Sequence, residues 1–206
     1  MSFFRLYLAT DRARTAGRPL LQVVEAALQG GVDAVQLREK DLSTAALCDL
    51  ASRLRALTRR YGARLLINDR IDVALAVGAD GIHLPVNSFA ASDARRVLGA
   101  QALIGVSTHS LEQAEAATAG SADFIVFGPV FETPSKREFG PPVGLPALAR
   151  VSAKTAAPVF AIGGITVDRV ESVCRCGARG VAVISAILEA DDPRAAASAL
   201  RAALGG

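Results

Sequence analysis

Short apolar runs recur along the chain, each separated from the next by enough residues for one helix. They are Leu6 to Ala9, Ala34 to Leu37, Leu65 to Ile67, Gly81 to Leu84, Leu103 to Val106, Phe124 to Phe127, Val159 to Ile162 and Val181 to Ile184. Rich in β-branched and apolar residues and lacking strict alternation, each reads as a strand buried on both faces. Between them lie Ala/Leu/Arg/Glu-rich stretches with helical spacing: Leu20 to Gln29, Ser43 to Arg60, Ser110 to Ala119, Leu145 to Ala153 and Val167 to Cys176. Ser43, Ser110 and Thr166 signal helix starts, and Gly30-Gly31, Gly62, Gly120 and Gly177 signal stops. The phrases Gly31-Val32-Asp33-Ala34, Gly78-Ala79-Asp80-Gly81, Gly120-Ser121-Ala122-Asp123 and Gly177-Ala178-Arg179-Gly180 repeat one helix-to-strand connection. This repetition predicts one closed, quasi-symmetric domain over residues 1–206: an α/β fold, the compact (β/α)8 TIM barrel. An open doubly wound sheet is the alternative. No Gly-x-Gly-x-x-Gly opens the first helix, and eight units leave no obvious edge for a sheet.

Composition narrows the class. Half of the 206 residues are hydrophobic, enough for a sizeable core. The net charge of +3 comes from basic residues interspersed with acids, which gives nucleic-acid binding little support beyond a mildly basic pI. Cys48, Cys174 and Cys176 are odd in number and lack metal-ligand spacing with the two histidines. A reducing, cytoplasmic setting is expected, without a zinc site or disulfide framework. No apolar run reaches membrane-spanning length, and no secretory leader is recognisable, so no membrane partner is expected. A homo-oligomer is left open.

A barrel places its chemistry at the carboxyl ends of the strands, and this rule sorts the polar residues. Gln36, Arg38 and Lys40 alternate after the second strand, and would share a face if the strand continued. Two cations at a barrel mouth suit a polyphosphate; the competing reading pairs them with Glu39 or Asp41. Asn68 and Asp69 end the third strand, with Asp72 close behind. Asp69 is a candidate magnesium ligand, since magnesium is held by one or two carboxylates with water and phosphate oxygens; helix capping is the alternative for either residue. Ser107 and His109 end the fifth strand, as hydroxyl donor and as proton carrier or helix cap, while His83 reads as structural. Gly163-Gly164 after the seventh strand lets the backbone approach a ligand closely, and Ile184-Ser185 ends the eighth, where phosphate loops recur in this fold. Between Gly128 and Gly144 runs a loop stiffened by Pro129, Pro134, Pro141 and Pro142. Its Thr133, Ser135 and Lys136 are donors of the kind a phosphate needs.

Taken together, the chain resembles the thiamine phosphate synthase and thiazole tautomerase superfamily over essentially its whole length. The resemblance rests on Leu6-Tyr7-Leu8-Ala9-Thr10-Asp11, Val35-Gln36-Leu37-Arg38-Glu39-Lys40, Ile67-Asn68-Asp69-Arg70, Gly105-Val106-Ser107-Thr108-His109, Gly128-Pro129-Val130-Phe131 with Thr133-Pro134-Ser135-Lys136, and Ile162-Gly163-Gly164-Ile165. It implies a small barrel in which a pyrimidine diphosphate loses pyrophosphate and a thiazole phosphate captures the cation. Gln36, Arg38, Lys40 and Asn68 would then bind the pyrimidine diphosphate, Asp69 would hold magnesium, and Ser107 and Lys136 would stabilise the departing pyrophosphate. Thr133, Ser135, Gly164, Ile184 and Ser185 would seat the thiazole phosphate.

Two positions depart from the pattern. Where the synthase pattern supplies a second magnesium carboxylate, this chain has Ser88; where the tautomerase branch can carry its acid-base histidine, it has Pro129. A magnesium ion tolerates the first loss better than a proton shift tolerates the second, because Asp69, diphosphate oxygens and water remain. The expectation is therefore the synthase. The tautomerase is the close alternative, and a non-catalytic thiazole-phosphate sensor is the third reading.

Overall fold

The computed structural model describes residues 4–133 and 141–205. Eight parallel strands pair neighbour to neighbour and close on themselves: β1 (Leu6–Ala9), β2 (Ala34–Leu37), β3 (Arg64–Asn68), β4 (Gly81–Leu84), β5 (Leu103–Thr108), β6 (Phe124–Phe127), β7 (Val159–Ile162) and β8 (Gly180–Val183). The closing pair is β8 on β1, with Tyr7 opposite Ala182. Helices α1 (Leu20–Gln29), α2 (Thr44–Arg60), α3 (Ile71–Val77), α4 (Ala91–Leu98), α5 (Leu111–Ala119), α6 (Gly144–Lys154), α7 (Val167–Arg175), α8 (Ser185–Leu188) and α9 (Pro193–Ala203) surround them. This is the expected (β/α)8 barrel, closed rather than open. The strand limits differ from the sequence reading at β5, which continues through Ser107 and Thr108, and at β8, which stops before Ile184. Ser43 and Ser110 cap α2 and α5 as expected, accepting from the Ala46 and Gln113 amides at 3.3 Å.

Two layers of core follow from strand alternation. Leu6, Leu8, Val35, Leu37, Leu65, Ile67, Ile82 and Ile104 point outward and pack under the helices. Phe4, Tyr7, Leu66, Phe124 and Phe160 point inward and plug the lower barrel, the four aromatic rings in contact. Gly105 makes room for the plug: a Cβ there would lie 2.1 Å from the Phe124 ring. Above the plug the inward positions turn polar, with Gln36, Asn68, His83 and Ser107. The aromatic floor therefore sets where the cavity begins.

Three of the four repeated helix-to-strand phrases carry an aspartate with a shared purpose at the amino end of the barrel; the fourth has Arg179 instead. Asp33 accepts from the Arg5 and Leu6 amides at 2.9 Å and from the Arg201 guanidinium at 2.8 Å. Asp80 accepts from the Leu65 amide at 2.8 Å and is flanked by Arg55 and Arg64. Asp123 accepts from the Ile104 amide at 2.7 Å and pairs with Arg95 at 2.6 Å. Each carboxylate thus satisfies an amide at the first or second residue of the preceding strand and neutralises one or two arginines.

Candidate functional site

A cavity of 590 Å³ opens at the carboxyl ends of the strands. Of the residues expected there, Gln36, Arg38, Lys40, Asn68, Ser107, His109, Thr133, Gly164, Ile184 and Ser185 line it. Ser135 and Lys136 lie outside the described residues. Asp69 sits at the rim beside the cavity rather than in its wall.

The β2 wall shows why two cations stay available. Glu39, whose side chain is 3% exposed, accepts from Thr10 Oγ1 at 2.7 Å and from the Arg12 backbone and guanidinium at 3.2 and 3.3 Å. Arg12 also grips Asp41 at 2.5 Å. Both acids that the alternative reading assigned to Arg38 and Lys40 are therefore taken by Arg12. Thr10 Oγ1 in turn accepts from the Arg38 amide at 2.9 Å, which fixes the backbone at the turn from strand to loop. Arg38 is half-buried and Lys40 exposed, and neither has an ion pair among the described residues. A half-buried guanidinium favours an anion beside it. Gln36 and Asn68 join across β2 and β3, Gln36 Nε2 donating to Asn68 Oδ1 at 2.9 Å. The bond fixes the polarity of the remaining amide groups of this pair, Gln36 Oε1 and Asn68 Nδ2, at the cavity wall.

At the end of β3, Asp69 adopts the left-handed conformation, φ 62°, which asparagine and aspartate tolerate better than other side-chain-bearing residues. Its Oδ1 accepts from Ser88 Oγ. Position 88 thus faces Asp69, as the departure from the synthase pattern requires. Asp72 does not join them: it is bound by Arg70 at 2.5 Å, a guanidinium that holds its carboxyl down to about 2. Among the described residues no group of three acidic, histidine or cysteine side chains gathers to hold a metal by itself.

His83, expected to be structural, does line the cavity. Burial, with a smaller push from the charge of Arg38, lowers its pKa to about 3 and keeps the imidazole neutral. Its Nδ1 lies 3.3 Å from the Tyr7 hydroxyl and its Nε2 2.8 Å from Ser107 Oγ. His109 directs Nδ1 to the Gly128 carbonyl, an acceptor, so Nδ1 carries the proton.

The opposite wall is built by β6, β7 and β8. Val130 and Phe131 donate backbone hydrogen bonds to Ile162 and Gly163 at 2.8 and 3.1 Å, joining the loop after β6 to the loop after β7. The glycine pair serves this close approach as well as the cavity. A Cβ on Gly163 would sit 2.5 Å from Pro129, and one on Gly164 would sit 2.7 Å from the Glu132 carbonyl. Arg169, which the sequence reading did not single out, fastens the corner: it donates to the Gly164 carbonyl at 2.6 Å and stacks over Phe131 at 4.6 Å. Arg14 and Glu189 also line the cavity as an ion pair, with Asp11 3.4 Å from Arg14. The Arg169–Phe131 and Arg14–Glu189 contacts join residues far apart in sequence, and no local motif announces them.

The chain matches the model of the thiamine monophosphate synthase family over residues 6–187. A protein of Geobacter sulfurreducens, whose name gives the thiamine-phosphate synthase activity provisionally, is 55% identical over 201 residues, covering 98% of this chain and 94% of the relative. The thiamine-phosphate synthase of Roseiflexus castenholzii is 46% identical, covering 95% and 86%. Among solved structures, thiamine phosphate pyrophosphorylase from Pyrococcus furiosus superposes with a TM-score of 0.89 at 37% identity, covering 98% and 95%.

Proposed function

The chain belongs to the thiamine monophosphate synthase family, and from that membership we infer that it is a thiamine-phosphate synthase. It joins a pyrimidine carrying a methylene diphosphate to a thiazole phosphate. The methylene C–O bond breaks and pyrophosphate leaves with the electron pair. The lone pair of the thiazole ring nitrogen then forms the new C–N bond. Thiamine phosphate and pyrophosphate are the products, and no protein nucleophile is consumed.

The observation that carries this reading is the pair Arg38 and Lys40. Both are cations without an ion pair among the described residues, on the wall where Gln36 and Asn68 present their amides. Charge develops on the leaving diphosphate, and fixed cations stabilise that charge more than they stabilise the ground state. Ser107 adds a donor from the end of β5. Thr133, Gly164, Ile184 and Ser185 seat the thiazole phosphate across the cavity, so that the ring nitrogen faces the departing group. Lys136 and Ser135 belong to the same two roles by their place in the motif.

Asp69 fits a magnesium ion held through one carboxylate, substrate oxygens and water. Its Oδ1 is engaged by Ser88, and its Oδ2 has no hydrogen bond among the described residues. When bound, the ion would neutralise charge on the diphosphate. Ser88→Asp adds the second carboxylate, so the magnesium concentration for half-maximal activity is expected to fall.

The test is incubation with both substrates, with and without magnesium, reading pyrophosphate and thiamine phosphate. Equal amounts of the two products are expected. Isomerisation of a thiazole carboxylate phosphate, without pyrophosphate release from the pyrimidine substrate, would replace this reading with the tautomerase. Lys136→Ala is expected to slow turnover more than it weakens thiazole phosphate binding.

A further inference from the structure

We propose that Tyr7 and His83 are positioning residues that set the direction of the Ser107 hydroxyl, making it a hydrogen-bond donor to the cavity. Tyr7 O–H donates to His83 Nδ1, His83 Nε2–H donates to Ser107 Oγ, and the proton of Ser107 is left for an anion. The role in turnover rests on the synthase reading; the hydrogen-bond directions do not.

The directions follow from counting protons. Tyr7 is 1% exposed, and His83 is the only hydrogen-bond partner of its hydroxyl among the described residues. Burial raises the phenol's pKa well above its ordinary value, so the group remains O–H. A buried O–H with one partner either donates to it or leaves its proton unpaired. An unpaired buried donor costs more than an underused lone pair. Donation to Nδ1 requires that nitrogen to be bare. The neutral imidazole then carries its single proton on Nε2, 2.8 Å from Ser107 Oγ. With Ser107 accepting from Nε2, its own hydrogen has no protein acceptor among the described residues and turns into the cavity that both side chains line.

The reverse chain would be wrong for an anion. If Ser107 donated to Nε2, its lone pairs would face the cavity and repel a diphosphate. Tyr7 fixes the tautomer from below, and Phe124 confines the imidazole with ring centroids 6.1 Å apart. The hydroxyl is thus oriented before any ligand arrives, and no reorganisation is needed as charge develops.

The chain has two histidines, which makes a direct test clean. Long-range proton–nitrogen correlation NMR on the protein labelled with ¹⁵N-histidine is expected to give opposite tautomers. His83 should be protonated on Nε2, and His109 on Nδ1, where it meets the Gly128 carbonyl. The variant His83→Gln assigns the signals. A His83 protonated on Nδ1 overturns the proposal whatever the activity.

Tyr7→Phe keeps the ring in the aromatic plug and removes only the hydroxyl. It should mix the His83 tautomers and weaken binding of inorganic pyrophosphate about tenfold by calorimetry, the worth of one well-placed hydrogen bond. In turnover, kcat should fall by about the same factor, with KM for thiazole phosphate unchanged. His83→Gln, which retains an N–H near the Nε2 position, should recover most of what His83→Leu loses. Pyrophosphate affinity unchanged in Tyr7→Phe would overturn the proposal. A protein with the expected tautomers and pyrophosphate response but no synthase turnover would leave the relay standing and remove the synthase reading.

Discussion

The two ends of this barrel treat charge in opposite ways. At the amino end Asp33, Asp80 and Asp123 each meet a strand amide and at least one arginine, so every carboxylate in the repeat is matched. At the carboxyl end the matching is selective: Arg12 takes Glu39 and Asp41, and among the described residues Arg38 and Lys40 have no ion pair. Matched charge holds the strands in register. Unmatched charge, supported from behind by the Thr10–Glu39 contact, is held ready for a ligand. A count of ionic residues would not separate these uses; only the pairing does.

Substitutions at the two ends should therefore fail in different assays. The largest effect is expected from Asp80→Ala, which strands Arg55, a side chain only 15% exposed. The loss should be about 3 kcal/mol in urea unfolding, with kcat/KM per folded molecule unchanged. Burial raises the Asp80 pKa, but the Leu65 amide and two guanidiniums outweigh it and hold the pKa below its ordinary value. At the opposite end, Arg38→Gln should cost about 100-fold in kcat/KM for the pyrimidine diphosphate with an unchanged melting temperature. Loss of activity in Asp80→Ala beyond its unfolded fraction, or loss of stability in Arg38→Gln, would break the contrast.

A smaller effect concerns pH. The unfolded chain protonates its imidazoles near 6.5, whereas His83 resists protonation down to about 3. Between those values the unfolded state binds more protons, so stability falls as pH is lowered, by about 1 kcal/mol per pH unit from this residue. Urea unfolding between pH 7 and pH 4 checks it, and His83→Gln should flatten the slope. The smallest effect is expected at Glu171, exposed on α7 and paired with exposed Arg175. Glu171→Ala should change neither melting temperature nor turnover measurably, because solvent screens such pairs.

Much of the site was legible because it is local. Gln36, Arg38 and Lys40 announce themselves by alternation, and Asn68, Ser107 and Gly164 by their place at or just beyond the end of a strand. Asp192-Pro193 is a readable helix start, yet the sequence reading sets no bounds for α9 and the short α3, α4 and α8: about two turns or fewer give a period little room to show, and the alanines that fill α9 suit either face of a helix. Arg169, Arg14 and Glu189 were missed for another reason. Arg169 meets Phe131, and Arg14 meets Glu189, across elements that come together only when the barrel closes.

The sequence by itself determined the eight-fold strand and helix order, the closed barrel and which residues lie at strand ends, since strand and turn preferences act over a few neighbouring residues. The tertiary structure alone decided which of those residues pair with one another. It brought Arg12 to Glu39 from 27 positions away, Ser88 to Asp69 from 19, and Tyr7 to His83 from 76. Such pairings depend on register, on barrel closure and on the aromatic plug, and these are properties of the packed chain.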